Sequence, residues 1–329
     1  MRRRDFIIGM AGSAVVRPLA AHAQQSAVQT IGWLSLRAAD TDTELANLTA
    51  FRQGLNQTGY VEGRNLTIEF RHGGGRYDVL PELAADLVRR QVAVIVTGGG
   101  AAVARVAQAA TSTIPIVFSS ASDPVRDGIV QSINRPGGNT TGAHLINVAL
   151  GPRRLELLRE FVPGIRLVGF LSNPRAATND VQVSEIENAA RLLGVRLHML
   201  RATSEQEINA AFASLEQRRV DALLMGSDPL FQVQRDQVIE RVMRLRVPAM
   251  YEWSEFVKAG GLVSYSADRS EMWRQMGIYV TRILNGAKPA ELPVMQPTKF
   301  ELVINLKTAK ALGLMVPPKL LFTADEAIE

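Results

Sequence analysis

Short apolar runs alternate with longer segments of helical period along most of this chain. Thr30-Ile31-Gly32-Trp33-Leu34-Ser35 is a compact run that predicts a strand. Leu45, Leu48, Ala50, Phe51 and Leu55 follow at helical spacing and stop at Gly59. The alternation continues with strands predicted over 65–70, 92–97 and 115–120. Helices are predicted around Leu80–Val88, where Pro81 suits a first turn, and Val103–Ala110. Strands regularly separated by helices imply a parallel sheet covered on both faces.

The rhythm then restarts. Arg135-Pro136-Gly137-Gly138-Asn139 is a strong turn cluster, and Thr140–Leu145 leads into a helix through Leu155, Leu158 and Phe161. Further strands are predicted over 167–171, 195–200, 222–225 and 248–251, with helices over 183–193, 208–215 and 233–245 between them. An extended piece over 260–265 precedes a helix from Met272 to Leu284 that ends at Gly286. The expected fold class is therefore α/β, with two doubly wound parallel-sheet lobes, Rossmann-like in winding, and a tail of about sixty residues.

The N-terminus does not belong to this pattern. Arg2, Arg3 and Arg4 precede a mainly apolar run to Val16, and Ala21-His22-Ala23 offers a small-residue cleavage site. That order predicts a removable export signal over residues 1–23, and the arginine pair before Phe6 is twin-arginine-like. Cleavage after Ala23 leaves 306 of the 329 residues, a length that suits two domains with separate cores. It also removes four arginines against Asp5, a net of +3, so the formal charge falls from +5 to about +2. No basic block remains to track a phosphate backbone, and nucleic acid is not an expected partner. The chain has no cysteine, hence neither disulfides nor a lipid-anchored cysteine, and no later stretch has the length and apolarity of a membrane span. With His72, His144 and His198 the only histidines after the signal, no metal site is expected.

In open α/β sheets, ligands bind where strands end and helices begin. The polar residues at those ends are Ser35 and Arg37, then Thr97, Gly98 and Gly99, then Ser119, Ser120, Ser122 and Asp123. In the second unit they are Ser172 and Asn173, Ser227 and Asp228, and Tyr251 and Glu252. Small hydroxyls and glycines at helix N-termini suit a carboxylate, because free backbone N–H groups point outward there. Asp228 and Glu252 suit an amine or sugar hydroxyl, and Tyr251 and Trp253 can supply a stacking face. Asp123-Pro124 and Asp228-Pro229 read equally well as helix caps, and Tyr251 and Trp253 equally well as core. Enzyme chemistry finds little material. Gly98-Gly99-Gly100-Ala101-Ala102-Val103 departs from the dinucleotide fingerprint at its last position. There is no G-x-S-x-G motif, cysteine nucleophile or histidine-centred triad. No cofactor and no catalytic residue are expected.

Several segments carry a family likeness. They are Phe51-Arg52-Gln53-Gly54-Leu55 with Gly59-Tyr60-Val61-Glu62-Gly63, Leu80-Pro81-Glu82-Leu83-Ala84, Ile114-Pro115-Ile116-Val117-Phe118 and Asp123-Pro124-Val125. The run Asn134 to Gly142 and the run Leu302 to Ala309 complete the set. In these the chain resembles the substrate-binding proteins of ABC importers, in the family that includes tryptophan-binding lipoproteins of Gram-positive bacteria. The resemblance implies a type I periplasmic-binding-protein fold, closing on a small solute about a hinge. It implies lobe 1 over 24–143 plus about 266–293, and lobe 2 over 144–265 plus about 294–329. The crossings would lie at Gly138–Leu145 and Tyr265–Asp268. It further implies that Ser35, Thr97, Gly98, Ser119 and Ser120 hold a carboxylate and that Asp228 faces an amine. The implied partners are an amino acid or related small carboxylate and an inner-membrane permease with its ATPase. The protein is expected to be a freely diffusing periplasmic monomer. A sensing role toward a receptor kinase uses the same closed lobes and stays open at this point, as does, more weakly, an exported nucleotide-dependent enzyme.

Overall fold

The computed structural model describes residues 28–176 and 178–329, so the predicted export signal lies outside the described residues. The first sheet begins with β1 (Gln29–Ser35), α1 (Asp42–Gln57), β2 (Leu66–His72) and α2 (Leu80–Arg89). It continues with β3 (Ile95–Gly98), α3 (Ala101–Ala110), β4 (Ile116–Ser120) and β5 (Thr140–His144). All pairings are parallel, in the order β2-β1-β3-β4-β5. β5 is not visible as a strand in the hydrophobic pattern, since Thr-Thr-Gly-Ala-His has almost no apolar run. Packing explains its composition. A Cβ at Gly142 would lie 2.1 Å from the Phe118 carbonyl oxygen, so only glycine lets β5 pair this closely with β4.

The second lobe starts with α4 (Gly151–Phe161), β6 (Leu167–Ser172), α5 (Asn179–Leu193), β7 (Arg196–Arg201) and α6 (Glu205–Arg218). Then come β8 (Ala222–Met225), α7 (Pro229–Val233), α8 (Arg235–Leu245), β9 (Ala249–Tyr251), α9 (Ser254–Lys258) and β10 (Val263–Ala267). From β10 the chain goes to α10 (Arg269–Leu284), and it finishes with β11 (Phe300–Asn305), α11 (Leu306–Ala311), α12 (Pro318–Thr323) and β12 (Glu326–Ile328). The sheet order is β12-β11-β10-β9-β8-β6-β7, parallel except for the antiparallel pair β10–β11. The two lobes are thus both α/β with parallel sheets, as the alternating pattern predicts. The tail is where the pattern is silent: β11 and β12 extend the second sheet at one edge.

α10 leaves the second sheet and packs on α1 beside the first. Two glycines allow that approach. A Cβ at Gly54 would stand 1.9 Å from the Arg274 carbonyl oxygen, and one at Gly277 would stand 2.3 Å from that of Phe51. The two backbones therefore touch directly, and Trp273 reaches the core of the first sheet. There its ring centroid lies 4.9 Å from that of Trp33, which meets Phe51 edge-on at 5.2 Å. After α10 the chain returns past β5, where the Met295 N–H donates to the Gly142 carbonyl at 2.8 Å and the His144 N–H to that of Met295 at 2.8 Å. Among the described residues, three segments therefore run between the lobes: one after β5, one between β10 and α10, and one through Met295.

Candidate functional site

The carboxyl ends of β1, β3 and β4 lie side by side in register, Ser35 opposite Gly98 and Thr97 opposite Phe118. Ser35, Thr97, Ser119 and Ser120 are all buried there. The Ser35 hydroxyl accepts from the Arg37 N–H at 3.2 Å, and the Ser119 hydroxyl donates to the Thr97 carbonyl at 3.1 Å. Thr97 Oγ1, in a residue with no exposed surface, has no hydrogen-bond partner among the described residues. A buried hydroxyl in that condition costs about 1–3 kcal/mol until something pairs with it. The turn from β3 to α3 is built from glycine. Gly99 and Gly100 have φ of 117° and 87°, in the left-handed region, and a Cβ at Gly99 would meet that of Leu36 at 2.7 Å. Gly100 has no side chain to cap α3, so the N–H groups of its first turn face outward beside Thr97.

The loop after β4 is more self-contained. The Ser120 hydroxyl bonds within the loop to Ser122, whose own hydroxyl donates to the Asp127 carboxylate. Asp123 is exposed, and its carboxylate accepts from the N–H groups of Val125 at 2.9 Å and Arg126 at 3.3 Å. Its side chain closes the turn rather than reaching the strand ends.

In the second lobe, Asn173 folds onto the N–H of Arg175 at 2.9 Å, and Asp228 caps α7 by accepting from the Leu230 N–H at 2.8 Å. Burial pushes the Asp228 carboxyl up, outweighing its bonds to Asn173 and Leu230. Ser227 is pinned through its backbone to the Gln182 side chain at 2.6 and 3.0 Å, while its hydroxyl has no partner among the described residues. Tyr251 is fully enclosed and stacks on Phe256 at 5.0 Å, so its ring lies in the core of the lobe and burial raises its phenol. Glu252 is 5% exposed and accepts from Asn147 Nδ2 at 3.2 Å. Trp253 is similarly enclosed, with the Arg269 guanidinium 4.2 Å from its ring centroid, and Arg269 forms an ion pair with Glu255.

The two sets face each other. Arg37 Nη2 donates to Gln232 Oε1 at 3.3 Å, which ties the end of β1 to α7 across the cleft. Burial lowers the Arg37 guanidinium, while Glu44, Tyr77 and Glu252 oppose that shift. Burial brings Arg269 down to about 9, the Arg37 charge adds to the fall, and Glu252 opposes it. Tyr77 in the first lobe feels the Asp228 charge from the second. Of the residues singled out from sequence, Ser35, Arg37, Thr97, Gly98, Gly99 and Ser119 therefore cluster on one wall. Asn173, Asp228 and Glu252 occupy the other. Asp123 and Ser120 turn into their own loop, and Tyr251 lies inside its lobe. Asn147, Gln232 and Arg269 also belong to this region and are not legible in the sequence, since none of them ends a strand. Arg269 opens α10, directly after β10, so its place becomes visible only once α10 is seen to cross. Among the described residues, no three His, Asp or Glu side chains converge as a metal ion would require.

This fold recurs in known proteins. A structure from Vibrio cholerae, described as a conserved domain protein, superposes with a TM-score of 0.81 at 25% identity, covering 91% of this chain and 99% of that one. A Streptococcus pneumoniae ABC domain in complex with L-Trp gives the same TM-score at 24% identity, again over 91% and 99%. In sequence, a tyrosine-binding protein of Clostridioides difficile is 24% identical over 265 residues, 80% of this chain and 75% of that protein. The family model for ABC transporter substrate-binding proteins matches residues 38–328, running from just after β1 through both sheets to β12. With that span matched, the chain belongs to the ABC transporter substrate-binding protein family, and its fold is that of the type I periplasmic binding proteins.

Proposed function

We propose that this protein is the solute-binding component of an ABC importer. It is exported after removal of residues 1–23, and it captures an amino acid or related small carboxylate by closure of its lobes. The observation that carries the reading is that Thr97 Oγ1 and Ser227 Oγ, at cleft-side strand ends of opposite lobes, are both buried without a hydrogen-bond partner among the described residues. Fold stability gains nothing from leaving them unpaired, whereas a polar solute between the lobes would satisfy both. The uncapped N-terminus of α3 suits a carboxylate, and Asp228 suits an amine. The named relatives, for tyrosine and in complex with L-Trp, support an amino acid. Closure stores the solute without chemistry, which agrees with the non-enzymatic role of the family. The Arg37–Gln232 bond is one contact that favours the closed form. An inner-membrane permease and its ATPase would receive the solute, with the lobes' boundaries at about 143/144, 265/266 and 293/294.

Recovery from the periplasmic fraction tests the export and binding claims together. The chain should begin at Gln24 and carry or accept one unaltered solute. A saturating amino acid at a hundred times its Kd should stabilise it by about 2.7 kcal/mol in thermal unfolding. Conversion of a retained solute into product would overturn the reading.

A further inference from the structure

Given a small carboxylate solute in this cleft, as proposed above, we infer that the solute carries a second acid group and that Arg37 receives it. Three buried or half-buried arginines lie in this part of the molecule, and their partners differ. Arg154, on α4, donates to the carbonyls of Tyr265 at 2.7 Å and Asn147 at 3.0 Å. Arg269 has the Glu255 carboxylate and the Trp253 ring. Arg37 has a single neutral partner, the Gln232 amide oxygen at 3.3 Å, and makes no ion pair among the described residues.

The acids nearest to Arg37 act on it without forming an ion pair. Glu44 Oε1 accepts from Trp33 Nε1 at 2.6 Å and faces His72, while its buried Oε2 has no hydrogen-bond partner among the described residues. Glu252 accepts from Asn147, and its charge is shared with Arg154 and Arg269. A guanidinium taken out of water needs an anion or a full set of acceptors, and its planar fork matches a carboxylate in bidentate fashion. Arg37 stands two residues beyond Ser35, whose register partner is Gly98. Its root is therefore next to the β3–α3 turn, where Thr97 Oγ1 and the uncapped α3 N-terminus form a separate receptor for a carboxylate. One carboxylate at that turn leaves Arg37 without an ion pair, with Glu44, Tyr77 and Glu252 acting on it only through space. Two acid receptors on the same wall fit a dicarboxylate or an acidic amino acid.

Most of the aromatic residues point the same way. A solute with an aromatic side chain needs an open ring face, and apart from Tyr77, whose ring is exposed near Arg37 and Asp228, the rings near the cleft are used internally. Trp33 packs with Trp273 and Phe51, Tyr251 with Phe256, and Trp253 is 5% exposed beneath Arg269. The preference thus departs from the aromatic solutes for which the relatives are named.

Calorimetric titration of the full chain, refolded to strip co-purifying solute, separates these ideas. The probes are L-glutamate, L-aspartate and succinate against L-leucine, L-tryptophan and L-tyrosine. At least one diacid should bind about tenfold or more tighter than every neutral probe. Arg37→Ala should weaken that diacid about tenfold more than it weakens L-leucine, since both lose the Arg37–Gln232 contact that favours the closed form. Arg37→Lys, which keeps the charge and loses the fork, should retain part of the preference and guards against a misfolded alanine variant. Neutral or aromatic probes binding as tightly as the diacids would overturn the inference. So would equal losses for L-glutamate and L-leucine in Arg37→Ala, since Arg37 would then hold the carboxylate common to both. Either result leaves the solute-binding reading standing, whereas no binding of any probe would remove both.

Discussion

Two buried polar regions lie close together in this protein and are finished to different degrees. At the hinge, the Asn147 side chain accepts from the Ala267 N–H at 3.1 Å and donates to Glu252 at 3.2 Å. Its carbonyl, with that of Tyr265, holds Arg154. This network ties two of the three crossing segments to each other, and Arg154 Nη2 is the one side-chain atom in it left without a partner among the described residues. Across the cleft, Thr97 Oγ1 and Ser227 Oγ are unpartnered and Arg37 holds only an amide. Similar residue types are closed on themselves in one place and open in the other. The difference separates groups satisfied within the fold from groups that are not, and the proposed solute-binding role rests on that contrast.

The largest expected effect tests the hinge half of that comparison. Arg154→Ala removes a fully buried cation that burial already pulls down to about 10. Two carbonyls lose their donor and Glu252 loses a countercharge, so denaturant unfolding should show a loss of about 3–5 kcal/mol. A loss below about 1 kcal/mol would mean the network is not structural, and the contrast with the cleft would fail.

How much of this is legible in the sequence follows from the same physics. Runs such as Val94-Ile95-Val96 and Ala222-Leu223-Leu224-Met225 announce themselves because both faces of a parallel sheet are covered. β5 does not, because its tolerance for Gly142 comes from β4 packed against it, and β12 does not, because Glu326–Ile328 is a short edge strand. The strand-end rule locates Ser35, Thr97 and Asp228 by position alone. It cannot separate Thr97, whose hydroxyl is free, from Ser120, whose hydroxyl turns into its loop. Nor can it find Arg269 or Asn147, whose roles depend on which segments cross between the lobes. Tyr251 shows the converse: it ends a strand, yet Phe256 and Gly261 enclose its ring.

Thr97→Val sharpens the cleft half. The substitution keeps the β-branched shape and deletes a hydroxyl that makes no internal hydrogen bond. Stability of the solute-free protein should change by less than about 0.5 kcal/mol or rise slightly, because an unpaired buried group is removed. Affinity for a confirmed carboxylate solute should fall about tenfold, as expected for one lost hydrogen bond to a charged group. The same substitution would therefore be silent in unfolding and visible in titration, opposite to Arg154→Ala. A large stability loss with unchanged affinity would move Thr97 to the structural side.

Asp228→Asn gives the smallest effect, and its sign is set by burial. The folded protein holds the Asp228 carboxyl above its ordinary value of 3.8, chiefly through desolvation. A carboxyl raised on folding binds its proton more tightly in the native state, so it favours the fold at low pH. That contribution is lost as pH rises through the raised value. Asparagine caps a helix about as well as aspartate, so the variant removes the charge and keeps the bond to Leu230. Without solute, Asp228→Asn should unfold at a slightly higher temperature than the parent at pH 7, and the difference should shrink toward pH 4 and below. With an amine-bearing solute the order should reverse, because the parent regains an ion pair that the variant lacks. Loss of affinity with falling pH should also appear in the parent alone, as protonated Asp228 cannot pair with an amine. Parallel stability curves with and without solute would place Asp228 with the hinge residues, as a cap and nothing more.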